Sequence, residues 1–133
     1  MSRSRVLLAE DHPLMQEMIA KFLSEQFEVV EIVGRGDQVL EAVVRTQPDA
    51  IVLDVSLPRR SGLQVLPELR QHRSSLAVVV LTTHLSELYR EEAFRRGADA
   101  YILKENAAEE LLPAVCSAIS ARSSNFHATK RMA

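Results

Sequence analysis

The sequence contains one cysteine, no tryptophan and only 5% aromatic residues. A single cysteine, Cys116, excludes an internal disulfide and a zinc site built from several cysteines. So few aromatic side chains argue against a stacking platform for single-stranded nucleic acid. Sixteen Lys and Arg residues against eighteen Asp and Glu residues leave a formal net charge of −2. The chain therefore lacks the overall basic field that would attract nucleic acid or an anionic membrane.

Long apolar segments are also missing. No run approaches the roughly 20 residues that a membrane-spanning helix needs. The basic N-terminus, residues 1–5, is not followed by a signal-peptide cleavage pattern. These features predict a cytoplasmic protein with no membrane partner. A length of 133 residues, 47% of them hydrophobic, is typical of one folded domain.

Short aliphatic runs alternate with longer segments of helical periodicity. The runs that predict strands are 6–9, 29–33, 50–53, 76–81 and 100–103. The segment after each run has apolar residues at helical spacing. Five strand–helix units in strict alternation predict a single-domain α/β fold, a doubly wound five-stranded parallel sheet with helices on both faces. The domain is expected to span 1–122, and the small, polar and basic segment 123–133 predicts a linker or tail.

Polar residues follow four of the predicted strands where each strand ends. Glu10 and Asp11 follow the first strand, Asp54 ends the third, Thr82 ends the fourth and Lys104 follows the fifth. Ligands of open parallel sheets bind at this carboxyl edge. Three clustered carboxylates repel each other, and one lysine cannot neutralise them. Mg²⁺ is bound by carboxylates together with waters and phosphate oxygens, so the set predicts Mg²⁺ and a phosphoryl group.

Each of these residues has an ordinary explanation when it is taken alone. Asp11 could cap a helix, Asp54 could belong to a turn, and Thr82 is a good strand former. A lone lysine such as Lys104 is most often a solvated surface charge. Only their combination at successive strand ends, with complementary chemistry, favours a functional site.

In this order, the residues resemble the receiver domain of bacterial two-component response regulators, which has the CheY-like fold with strand order 2-1-3-4-5. The resemblance covers roughly residues 5–121. Segments 10–13 (Glu-Asp-His-Pro) and 97–104 (Gly-Ala-Asp-Ala-Tyr-Ile-Leu-Lys) are similar to the NarL/FixJ (LuxR-type) subgroup. The matching residues are Glu10, Asp11, Asp54, Pro58, Gly62, Thr82, Tyr101 and Lys104.

The resemblance implies a role for each polar residue at the sheet edge. Asp54 would be the phosphoacceptor, and Lys104 would pair with the phosphoryl oxygens. Thr82 would donate its hydroxyl to a phosphoryl oxygen, and Tyr101 would change rotamer as the switch. Mg²⁺ would be the cofactor, with the ligands Glu10, Asp11, Asp54 and the backbone carbonyl of Ser56.

The resemblance also implies partners. A sensor histidine kinase would phosphorylate the domain, which would have no enzymatic activity beyond Mg²⁺-dependent self-phosphorylation and dephosphorylation. A homodimer is expected through the first and fifth helices or the fourth. The subgroup normally continues into a helix-turn-helix domain. Either the chain is a stand-alone receiver, or segment 123–133 begins a connection to a DNA-binding domain that this chain lacks and through which it would control transcription; the subgroup resemblance favours the second.

Several positions depart from the commonest pattern of the family. Glu105 follows the lysine where proline is usual, and Thr83 stands where a small residue is common. Ser56 and His84 lie where side chains influence the hydrolytic water. These departures leave open a pseudo-receiver that binds partners without being phosphorylated. A flavodoxin-like enzyme is disfavoured by the low aromatic content and the absence of a P-loop.

Two further features have simple interpretations. Segment 34–39, Gly-Arg-Gly-Asp-Gln-Val, partly resembles a dinucleotide fingerprint, but it lacks the third glycine and follows the second strand, so it predicts a turn and a helix start. Cys116 is expected to be a small buried or half-buried residue of the last helix.

Overall fold

Five parallel strands alternate with five α-helices in the computed structural model, which describes residues 3–83 and 85–132, with side chains through residue 123. His84 lies outside the described residues. The strands are Arg5–Ala9 (β1), Glu28–Val33 (β2), Ala50–Asp54 (β3), Ala77–Thr82 (β4) and Ala100–Leu103 (β5). The helices are Pro13–Leu23 (α1), Val39–Thr46 (α2), Gly62–His72 (α3), Glu87–Arg95 (α4) and Ala107–Met132 (α5). Single turns of 3-10 helix, Gly36–Gln38 and Lys104–Asn106, precede α2 and α5.

The strands form one sheet in the order β2-β1-β3-β4-β5, and every neighbouring pair is parallel. Helices α2, α3 and α4 pack on one face, and α1 and α5 pack on the other. The central strands β3 and β4 are buried along their whole length, which explains their uninterrupted aliphatic runs. The predicted doubly wound α/β fold is confirmed.

Helix α3 shows how the sequence signals at a helix start operate. The Ser61 hydroxyl accepts from the Gln64 N–H, and the Gln64 side chain accepts from the Ser61 N–H, which is the predicted capping box. Pro67 lies inside the helix and cannot donate to the carbonyl of Leu63, four residues earlier. Nη1 of Arg96 donates to that carbonyl at 2.8 Å instead. A side chain from beyond α4 therefore replaces the hydrogen bond that proline removes.

The last helix bears on two expectations. Helix α5 continues past residue 122 to Met132, so the predicted tail begins as helix. Its side chains from residue 124 onward lie outside the described residues, and the proposed role of 123–133 as a linker or tail stays a prediction. The expectation that Cys116 is buried or half-buried was wrong, because the residue is exposed. The face of α5 against the sheet includes Leu111 and Val115, and the residue after Val115 is turned away from it.

No helix within residues 3–83 and 85–132 is both long and apolar enough to cross a membrane. The lysine that follows β5 is joined to Glu105 by a trans peptide, and none of the described peptide bonds is cis.

Candidate functional site

Three carboxylates meet at the carboxyl edge of the central strands. β1 and β3 pair directly, with Ala9 beside Leu53, so the next residues, Glu10 and Asp54, are neighbours. Both of these side chains are buried, with 0% and 3% exposure, whereas Asp11 is exposed. One oxygen from each of the three carboxylates lies within 4.8 Å of the others. The parallel register therefore brings together the acidic residues that the sequence places at two separate strand ends.

Lys104 supplies a positive charge to this group. It begins the 3-10 turn after β5, and its Nζ lies 2.9 Å from Oδ2 of Asp54 and 2.5 Å from Oε1 of Glu10. Burial lowers the pKa of the lysine, but its hydrogen bonds to both carboxylates and their negative charges more than offset that effect, so the net pKa is raised. The lysine therefore stays protonated. One ammonium among three carboxylates leaves a formal local charge of about −2.

The donor set at this edge fits a hard divalent cation. Oε2 of Glu10 accepts from the His12 N–H at 2.9 Å. Its Oε1 is buried, and among the described residues only the Lys104 ammonium reaches it. A buried carboxylate oxygen that contacts only the Lys104 ammonium in the described part of the chain, beside two further carboxylates, is a suitable oxygen ligand for Mg²⁺. The acidic cluster thus fits a magnesium site.

The loop after β3 turns back over the Asp54 carboxylate. The Ser56 N–H donates to Oδ1 of Asp54 at 3.0 Å, while Lys104 contacts Oδ2, so each oxygen has its own partner. The part of Ser56 in metal binding, through its backbone carbonyl, stays a prediction.

Thr82 and Tyr101 connect this edge to a surface groove. Asp54 pairs with Leu81 in the sheet, so Thr82 lies one residue further toward the same edge, and its side chain is fully buried. The Tyr101 phenol shares a hydrogen bond with Thr82. Burial raises the pKa of Tyr101, and the Thr82 hydrogen bond only partly offsets this rise. Tyr101 also lines a groove between α4 and β5, together with Leu85 and other residues. One phenol therefore contacts both the interior and this groove.

Two other residues at this edge have contacts that cannot be predicted from the sequence. Nε2 of Gln16, one turn into α1, donates to the backbone carbonyl of Glu10 at 2.5 Å. Gly36 lies directly against the backbone of the loop after Asp54. Both contacts depend on how separate elements pack, and no local pattern could have revealed either.

Comparison with known proteins identifies the family of this chain. Residues 6–116 match the protein family described as "Response regulator receiver domain", so the chain belongs to that family. The predicted recognition is confirmed.

Relatives of known sequence and structure support the same conclusion. The chain is 40% identical over 108 residues to the response regulator MprA of Mycobacterium leprae, covering 81% of this chain and 47% of that protein. It is 34% identical over 113 residues to the transcriptional regulatory protein YxjL of Bacillus subtilis, covering 84% of this chain and 52% of that protein. The chain thus spans about half the length of these curated relatives.

Among solved structures, the signal receiver domain of a NarL response regulator from Mycobacterium tuberculosis is similar, with a TM-score of 0.85 and 27% identity. That match covers 90% of this chain and 98% of the other. A DNA-binding response regulator of the LuxR family from Staphylococcus aureus matches with a TM-score of 0.82 and 26% identity, over 87% of this chain and 98% of the other. Both agree with the subgroup that segments 10–13 and 97–104 resemble.

Proposed function

We propose that this chain is a phosphorylation-dependent signalling switch in which Asp54 accepts a phosphoryl group from the phosphohistidine of a sensor histidine kinase. The observation that supports it is the buried Asp54 carboxylate, with the Lys104 ammonium 2.9 Å from one oxygen and two more carboxylates within 4.8 Å. A carboxylate can act as the nucleophile of a phosphoryl transfer. A fixed ammonium beside it stabilises the negative charge of the incoming group.

The transfer exchanges one bond for another. An oxygen of Asp54 attacks phosphorus, a P–O bond forms, and the P–N bond to the donor imidazole breaks. The electron pair of the broken bond returns to the imidazole nitrogen. Mg²⁺, held by Glu10, Asp11, Asp54 and the carbonyl of Ser56, would neutralise charge on the phosphoryl oxygens. Attack of water on phosphorus later returns inorganic phosphate and the free carboxylate, so the domain is a phosphoacceptor and not an enzyme acting on a separate substrate.

Thr82 would pass this event to the surface. Its hydroxyl would donate to a phosphoryl oxygen, which competes with the hydrogen bond that it now shares with Tyr101. Tyr101 would then be released to change rotamer. Because this phenol also lines the groove beside α4, its movement would alter the shape of that groove. Phosphorylation would thus bias a two-state element through one buried hydrogen bond.

The surface around α4 suits a change of partner. Leu85 and Leu88 are 85% and 75% exposed, which is unusual for two leucines so close in sequence. We expect this face, or the α1 and α5 face with its exposed Leu14, to form a homodimer interface or to bind another partner. We further propose a cytoplasmic protein that controls transcription through a DNA-binding domain outside these 133 residues, because relatives twice as long are named transcriptional regulators.

The test is intact mass after incubation with acetyl phosphate and Mg²⁺. We expect the native chain and the control Asp37→Asn to gain one phosphoryl group, and Asp54→Asn to gain none. Asp37 is a suitable control because it is exposed and paired with Arg35 outside the acidic cluster. If the native chain gains no mass and binds no Mg²⁺, the proposal is wrong and the pseudo-receiver interpretation replaces it. A gain on both Asn variants would place the phosphoryl group elsewhere.

A further inference from the structure

The turn between β2 and α2 lies against the loop that follows Asp54. A Cβ atom added to Gly36 would lie 1.8 Å from the carbonyl oxygen of Arg60 and 2.6 Å from its carbonyl carbon. The Gly36 N–H also donates to the carbonyl of Pro58 at 3.0 Å. The backbone of residues 58–60 therefore rests directly on this glycine, and no larger residue fits there unless the loop moves.

The loop that contains residues 58–60 also contains Ser56, whose N–H holds the Asp54 carboxylate. Ser56, two residues before Pro58, donates its N–H to Oδ1 of Asp54. Arg59 has φ of +74°, a left-handed conformation that an arginine adopts only where its surroundings impose it. A shift of residues 58–60 would therefore reach Ser56 over a short, constrained piece of backbone.

The other acidic loop is held from two sides as well. The Glu10 N–H donates to the carbonyl of Val33, the last residue of β2, at 3.0 Å. The Glu10 carbonyl accepts from Nε2 of Gln16 at 2.5 Å. Both backbone groups of this buried acid are thus fixed, one by the neighbouring strand and one by the first helix. The Gln16 amide is the single side chain in this arrangement.

We propose that Gly36 and Gln16 are positioning residues for the metal and phosphoryl site. Gly36 holds the loop that orients Asp54, and Gln16 fixes the peptide that joins Glu10 to Asp11. The inference rests on the proposed function, because the groups that are positioned are the predicted Mg²⁺ ligands. Outer partners that orient metal ligands typically change metal affinity by 10- to 100-fold when they are removed.

Two glycines of the same turn provide a matched pair of variants. A Cβ at Gly34 would have Nε2 of Gln16 as its nearest neighbour, 3.7 Å away and at ordinary contact distance, whereas at Gly36 it would overlap the carbonyl group of Arg60. We expect Gly36→Ala to weaken Mg²⁺ affinity about tenfold. Its phosphorylation rate at saturating Mg²⁺ should fall by about 10- to 100-fold, because misplacing a reacting group by about 1 Å has effects of that size. Gly34→Ala should stay within about twofold of the native chain in both measurements.

Gln16→Met tests the other loop, because methionine has a similar length and no N–H donor. We expect Mg²⁺ affinity to fall about tenfold, with the rate at saturating Mg²⁺ much less affected than the Mg²⁺ concentration for half-maximal rate. Glu17→Met, at the exposed neighbouring position, is the control. Mg²⁺ affinity is measured by isothermal titration calorimetry without any phosphoryl donor, and rates by intact mass against time. Far-UV circular dichroism checks that each variant is folded. If Gly36→Ala does not fold, Gln16→Met alone tests the positioning inference.

The outcomes separate this inference from the proposed function. If the native chain neither binds Mg²⁺ nor gains a phosphoryl group, both fail together. If the native chain does both and Gly36→Ala and Gln16→Met behave like it, the positioning inference alone is overturned. Equal damage from Gly34→Ala and Gly36→Ala, with Gln16→Met behaving like the native chain, would refute the contact with Arg60 as the cause.

Discussion

Replacing Lys104 by methionine removes the only cation that contacts the two buried carboxylates among the described residues. Its Nζ lies 2.5 Å from Glu10 and 2.9 Å from Asp54, and these acids are 0% and 3% exposed. Removing one partner of a buried ion pair destabilises a protein by about 3–5 kcal/mol, because the other charge is left uncompensated. We therefore expect Lys104→Met to lower the free energy of unfolding by about this amount in Mg²⁺-free buffer. A domain with about 5–15 kcal/mol of stability can survive this loss.

Mg²⁺ should then restore part of the lost stability. The local formal charge falls from about −2 to about −3 when the lysine is removed, so the variant should bind the cation more tightly. A ligand at a hundredfold excess over its dissociation constant stabilises the folded state by about 2.7 kcal/mol. We therefore expect the stability of the variant to depend more steeply on Mg²⁺ than that of the native chain.

The assay is urea unfolding followed by far-UV circular dichroism, since the sequence has no tryptophan to report by fluorescence. Each protein is unfolded in EDTA and in Mg²⁺, and Lys21→Met, at an exposed position of α1, is the control for loss of a lysine. Equal stability of Lys104→Met and the native chain in EDTA would refute Lys104 as the counter-charge. A smaller Mg²⁺ effect in the variant would refute the charge argument for the metal.

Three further predictions follow from single contacts. Because folding raises the pKa of Lys104, its stabilising contribution is fully present below the pKa of the unfolded chain, about 10.4, and is lost only as pH rises through the folded pKa. The difference in unfolding free energy between the native chain and Lys104→Met should therefore be constant near neutral pH and shrink at alkaline pH. Thr82→Val removes the hydrogen bond that lowers the pKa of Tyr101, so ultraviolet difference titration of the two tyrosines should show one pKa moved upward, and no movement would contradict the contact. Arg96→Ala should lower the free energy of unfolding, measured with urea, by about 1–2 kcal/mol. The loss should be smaller in a Pro67→Ala background, because residue 67 can then donate its own N–H to the Leu63 carbonyl; if the two substitutions have simply additive effects, the replacement hydrogen bond is contradicted.

The fold could be predicted because its signals are local and repeated. Each strand is a short aliphatic run, and the runs that became β3 and β4 are buried on both faces, as uninterrupted hydrophobicity requires. The capping box at Ser61 marked the start of α3 within four residues of sequence. The acidic site followed from one topological fact, that parallel strands end at the same edge.

The remaining features depend on contacts between distant segments. The Leu63 carbonyl that Pro67 leaves without its helical donor is bonded by Arg96, which lies 33 residues further along the chain. No local sequence pattern contains that relationship. Gly36 could be interpreted only as a turn residue, because its contact with residues 58–60 exists only after β2 and β3 are placed in one sheet. The exposure of Cys116 depends on which stripe of α5 meets the sheet.

The position of Lys104 explains why metal binding and phosphorylation should depend on each other. In the unphosphorylated chain, its ammonium bridges Glu10 and Asp54, so it neutralises the same oxygens that a cation would use. A phosphoryl group on Asp54 would bring oxygens of greater negative charge within reach of the ammonium and draw it away from Glu10. The buried Glu10 carboxylate would then keep, among the described residues, only the His12 N–H as a donor. Its uncompensated charge would raise the affinity of the site for the cation. Phosphorylation would thus remove a competitor of the cation, and by linkage the cation would stabilise the phosphorylated form to the same extent, so metal binding and phosphorylation should show positive coupling.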